Sequence, residues 1–106
     1  MKLTLKERIL VPRLYPLRES LFAQLLVRHI NEKIQIEDKE AKKVGLKFEQ
    51  GIFTWNLKKT IVKDFEFTDS EINFLKEQVK RVDKEKSITP DMVDLCVKIR
   101  DYEVKK

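Results

Sequence analysis

Residues 45–67, GLKFEQGIFTWNLKKTIVKDFEF, constrain the fold more than any other stretch, because they hold both glycines, the single tryptophan and the clearest strand pattern. A two-residue loop at Gln50-Gly51 sets Glu49 opposite Ile52, Phe48 opposite Phe53, Lys47 opposite Thr54 and Leu46 opposite Trp55. In that register Leu46, Phe48, Phe53 and Trp55 share one side of the ribbon, and the other side is mostly polar. A loop one residue longer would pair Phe48 with Ile52 and turn Phe53 and Trp55 to the far face, so burial favours the shorter turn. A further segment, 60–67, puts Ile61, Phe65 and Phe67 on one face and Val62, Asp64 and Glu66 on the other. The spacing predicts an antiparallel sheet of about three strands, 46–49, 52–56 and 60–67, with Trp55 and its three companions as the core.

Helix signals surround this sheet. Thr4-Leu-Lys-Glu7 has capping-box spacing, and Leu5, Ile9 and Leu10 give the first helix an apolar side until Pro12 and Pro16 interrupt it. Ser20 caps a second helix over 21–34, where Phe22, Leu25, Leu26 and Ile30 recur at helical spacing. A third helix, 37–44, starts on Glu37-Asp38, ends on Lys42-Lys43 and stops at Gly45. Thr68-Asp-Ser-Glu71 is a second capping box, stapled by Phe67 and Ile72, and Ile72, Leu75, Val79 and Val82 form a stripe reaching about Lys86. Phe74 lies off that stripe. Thr89-Pro90 opens the last helix, lined by Met92, Leu95, Cys96 and Ile99, and the basic end Val104-Lys-Lys106 is expected to fray. The reading is an α+β single domain, 1–106, with the small sheet packed against four or five helices.

A chain of 106 residues with 42% hydrophobic side chains can bury one core without disulfide or metal. The lone Cys96 cannot form an internal disulfide and suits a reducing compartment. The first apolar run, Ile9–Val11, is too short for a signal peptide, and no stretch approaches the roughly 20 apolar residues of a membrane helix. A cytosolic protein without membrane contact is expected. The formal net charge of +5 is a mild excess that permits an acidic partner without requiring one.

Catalytic chemistry finds little support. His29 is the only histidine, has no partner at metal-ligand spacing, and reads as a boundary residue on a core helix. Cys96 sits on an apolar stripe and reads as a buried structural thiol. Asp64 and Glu66 share a strand face and would need a third ligand to hold a cation; protection of an edge strand explains them as well. Asp69 and Glu71 fit a helix start, and Asp91 and Asp94 belong to no recognisable set. No glycine-rich phosphate loop or hydrolase motif is present. The expectation is a non-enzymatic protein with no cofactor and no metal.

The basic residues are the stronger candidates for contact. Lys76, Lys80 and Lys84 form one row on the long helix with Arg81 beside them, a candidate interaction surface that Glu77 is spaced to relieve. Lys42, Lys43, Lys47, Lys58 and Lys59, with Lys63, cluster around the sheet as candidate nucleic-acid contacts. Helix 21–34, helix 37–44 and hairpin 46–56 follow one another as in a winged helix, with the hairpin as wing. Glu37, Asp38 and Glu40 oppose that reading by placing carboxylates where phosphates would lie.

Several segments in order, LKERILVPRLYP, a helix ending NEKI, GLKFEQGIFTWN, and KDFEFTDSEINFLKEQVKRVDKEKSIT before a closing helix, resemble small uncharacterised phage and prophage proteins. Pro12 and the basic tail depart from that pattern. The resemblance implies a viral or prophage setting in a bacterial cytosol and carries no catalytic residue. Function is therefore expected to lie in protein–protein contact, with a separate partner or a second copy, through surplus apolar residues such as Phe74 and Val62. The alternative is a nucleic-acid-binding accessory protein.

Overall fold

The computed structural model describes residues 1–56, 58, 59 and 61–103. Thr60 and the tail 104–106, for which a strand start and fraying are expected, lie outside the described residues. In chain order come β1 (Lys2–Thr4), α1 (Leu5–Leu10), a 3-10 turn (Val11–Leu14), α2 (Leu21–Ile34), α3 (Asp38–Val44), β2 (Lys47–Glu49), β3 (Ile52–Thr54), β4 (Val62–Asp64), α4 (Asp69–Lys84), a 3-10 turn (Pro90–Met92) and α5 (Val93–Asp101). This is an α+β fold.

The strands form two separate antiparallel ladders rather than one sheet. β2 and β3 pair in the expected register, Lys47 with Thr54, Phe48 with Phe53 and Glu49 with Ile52. β4 does not join them. It pairs with β1, Lys2 opposite Asp64 and Thr4 opposite Val62, and the ladder is lengthened by the Phe65 N–H donating to the Met1 carbonyl. The competition is won by β1 because its Leu3 and the inward Phe65 of the β4 segment both reach the main core, whereas the hairpin reaches it with neither face. The face alternation of the 60–67 segment holds: Phe65 is buried, Ile61 and Phe67 are half-buried, and Val62, Asp64 and Glu66 are exposed.

The expected aromatic core is corrected. Phe48 is 61% exposed and Phe53 42%, their rings packed on each other at 4.6 Å, and Trp55, just past the end of β3, is half-buried. The true core is mostly aliphatic: Leu3, Leu14, Ile30, Ile72, Leu75, Leu95 and Ile99 are almost fully enclosed, joined by Phe65 and Phe74. Phe74 is therefore no surplus residue, since α4 buries it toward α2 beside its main stripe.

Helix ends follow their local chemistry. Thr4 Oγ1 accepts from the Glu7 N–H, and Thr68 Oγ1 accepts from the Glu71 N–H, each with the glutamate returning to the cap N–H. α3 ends in a Schellman turn: Gly45 takes φ +64, Leu46 N–H donates to Ala41 O at 2.8 Å, and Gly45 N–H donates to Lys42 O. The Asn56 N–H then donates to Val44 O, which ties the hairpin's far end back to α3.

Candidate functional site

α1 with its 3-10 turn, one side of α2, and β3 enclose a groove of about 830 Å³. Pro12 makes it possible, because it lacks the donor α1 needs to continue and the chain tightens into the 3-10 turn that forms one wall. Ile9, Pro12, Val27, Ile34, Ile36 and Phe53 supply its apolar surface. Gln24, Arg28, Asn31 and Glu32 bring polar groups from α2, and Glu32 is the one carboxylate in the lining.

Arg8 fixes the frame beneath. Its guanidinium is fully enclosed and makes four hydrogen bonds: Nε to Ile34 O at 3.0 Å, Nη2 to Gln35 O at 2.7 Å and to Glu40 Oε1 at 3.0 Å, and Nη1 to Glu40 Oε2 at 2.6 Å. Carbonyls at the end of α2 that lack helical donors are thereby satisfied, and α1, α2 and α3 are locked together. The same cation lies 5.2 Å from the Phe65 ring centroid. Hydrogen bonding from Arg8 holds the Glu40 carboxyl down at about 2, against burial that would raise it.

Several large apolar side chains outside the groove stand in water. Leu17, ahead of α2, is 93% exposed; in the first turns of α2 Leu21 is 77% exposed and Phe22 65%, with Leu25 also exposed, and Phe22 borders a separate cleft beside Phe74. The hairpin adds Phe48, Ile52 and Phe53. Full burial of a wholly exposed side chain of this size is worth roughly 1.5–3 kcal/mol, so these residues leave apolar area uncovered.

The basic candidates divide. On α4, Lys76 Nζ donates to Arg100 O, and Arg81 donates to Gln78, Glu85 and Leu14 O, so both are engaged within the molecule and Lys80 and Lys84 are left on the surface. Arg81 pairs with Glu85 rather than Glu77, one turn toward the helix end. Lys42, Lys43, Lys47, Lys58 and Lys59 are exposed without an ion-pair partner among the described residues, and Lys39 joins Lys42 and Lys43 on the outer side of α3. Lys63 instead lies 3.5 Å from Glu40.

His29 is exposed, and no group of three His, Cys, Asp or Glu among the described residues is placed to hold a metal ion. Cys96 is buried, and burial, with Asp83 nearby, pushes its thiol up. Arg8, the groove and the exposed end of α2 escape a reading by spacing. The exposed leucines look identical to core leucines in a helical pattern, and Arg8 resembles any solvated helix charge. No family model, curated protein or solved structure matches the chain.

Proposed function

We propose that this chain is a non-enzymatic binding protein that acts through protein–protein contact along the α2 groove. The observation that carries the reading is the apolar groove lined by the half-exposed Phe53, with Leu21 and Leu25 exposed on the helix that forms its wall. Its lining offers apolar area, the side-chain amides of Gln24, Asn31 and Gln35, two arginines and one carboxylate, with no histidine or cysteine. No described helix is long and apolar enough to cross a membrane. A phage or prophage setting in a bacterial cytosol, implied by the sequence resemblance, fits a small accessory protein of this kind.

Affinity capture from the expressing cells, with wild type beside Phe53→Ser and Val27→Asp, tests the reading. Proteins held by wild type and lost from both variants support it; an identical set on all three baits overturns it.

A second reading, nucleic-acid binding through α3 and the hairpin, gains from one observation. Glu40 is turned inward onto Arg8, so the outer side of α3 carries Lys39, Lys42 and Lys43 with Asp38. Binding to duplex and single strands across a salt series decides it, because phosphate contacts weaken steeply as salt rises. Absence of binding at low salt ends this reading.

A further inference from the structure

We infer that the occupant of the α2 groove is a second copy of this chain, packed with its α2 antiparallel across a twofold axis. This rests on the protein-contact reading above and names the partner for that same site.

At 100° per residue, Leu21 and Leu25 fall on the strip of α2 that also carries Gln24, Arg28 and Glu32, three residues of the groove wall. One strip therefore holds a projection at its N-terminal end and a recess toward its C-terminal end. A surface with both halves on one helix is complementary to itself under a twofold rotation, the condition for a closed two-copy interface. With the axis at the level of residue 26, Leu21 meets the partner's Asn31, Arg28 meets the partner's Gln24, and the two copies of Leu25 flank the axis on one edge. A second copy would fill the recess and cover the exposed leucines within one interface.

Charge agrees with the antiparallel direction. Arg18, just before α2, and Glu32, in its last turns, are exposed and have no ion-pair partner among the described residues. Antiparallel packing brings Arg18 of each copy toward the partner's Glu32 at both ends of the interface. A parallel arrangement would set like charges together at each end. Phe53 closes the recess from the hairpin side, so the half-exposed ring would be covered in the same step.

The test is the solution mass of the intact chain by sedimentation equilibrium from micromolar to millimolar concentration. Wild type is expected to approach twice 12.7 kDa. Leu21→Asp and Leu25→Asp, both at exposed positions, should weaken association at least tenfold while leaving the melting curve of the dilute, monomeric protein unchanged. Arg18→Glu alone should weaken it severalfold, and Arg18→Glu with Glu32→Arg should restore it. Wild type that stays at 12.7 kDa at every concentration overturns the inference, as does a dimer indifferent to Leu21→Asp, or a charge swap that fails to restore association. A monomer that still loses captured host proteins on Phe53→Ser would sink the second copy alone and leave the contact reading standing. A monomer with an unchanged captured set would sink both.

Discussion

Arg8 and Glu40 meet in a two-pronged ion pair, Nη1 to Oε2 at 2.6 Å and Nη2 to Oε1 at 3.0 Å, which joins the first helix to the third. Glu40 also accepts from the Glu37 N–H at the start of α3. Two other glutamates share this double role. Glu7 closes the start of α1 and receives Lys98 of α5 at 2.5 Å; Glu71 closes the start of α4 and receives Lys33 of α2 at 2.5 Å. Three helix starts thus serve as the points where distant elements are fastened, and each fastening ion is held by backbone donors as well as by its cation.

Stability should fall early in acid. The Glu40 carboxyl is held at about 2, against 4.5 for the free group, so the pair's contribution is full above pH 4.5 and lost as pH falls toward 2. A shift of that size corresponds to roughly 3 kcal/mol of linked stability, shared among Arg8, the Glu37 N–H and Lys63. Burial would raise Glu71, but hydrogen bonds from Lys33 and the Thr68 N–H outweigh it and hold the carboxyl below its usual range, so it acts in the same direction. Urea midpoints between pH 7 and 2.5 should drop steeply below pH 4.5, and Glu40→Gln should flatten the drop. A wild-type curve level down to pH 3 contradicts the pairing.

Arg8→Met should cost roughly 3–5 kcal/mol, because Glu40 and the carbonyls of Ile34 and Gln35 lose their donor inside the molecule. Arg8→Met with Glu40→Met should recover much of that loss, since no uncompensated charge is left behind. Chemical denaturation of the two variants checks it, and a double variant less stable than the single one argues against the account.

Thr68→Ala removes the acceptor for the Glu71 N–H and should cost about 1 kcal/mol. Ser70→Ala, in the same turn and exposed, is the control expected to change little. Equal denaturation midpoints for wild type and Thr68→Ala would remove the cap from the energetics.

Lys86→Gly should stabilise the protein. α4 ends in a Schellman turn like that of α3, with Ser87 N–H donating to Val82 O and Lys86 N–H to Asp83 O, but here a lysine sits at φ +56. A side chain in that region carries a penalty of about 1 kcal/mol that glycine avoids. Gly45→Ala imposes the same penalty on α3, where a methyl group meets no neighbour, so the cost comes from the backbone alone. Opposite shifts of similar size in melting temperature are the expected pair of results.

What spacing reveals here is what short-range geometry decides. Thr4 with Glu7, Thr68 with Glu71, the turn at Gln50-Gly51 and the stop at Gly45 need only three to six residues each, and all four are found as read. Which face of a ribbon is buried depends on what packs against it, and nothing in residues 45–56 specifies that neighbour. β1 is three residues long with no alternation to read, so its claim on β4 is invisible until Leu3 and Phe65 are seen in one core. The groove is assembled from α1, α2 and β3, and Arg8 finds its partners 26–32 residues away, beyond any local pattern.

The clearest contrast between the two readings of the hairpin is energetic. Were Phe48 part of the core, Phe48→Ser would remove a buried ring and cost roughly 3–5 kcal/mol. At 61% exposure it touches mainly Phe53, and the expected loss is below about 1 kcal/mol, with fewer soluble aggregates as a side effect. Leu75→Ala empties a fully enclosed site between α4 and the core and should cost about 2–5 kcal/mol. Urea unfolding of the two variants side by side separates the cases, because one mutation is large in volume and cheap while the other is small and costly. A Phe48→Ser midpoint as low as that of Leu75→Ala would return the aromatic face to the interior and close the groove argument with it.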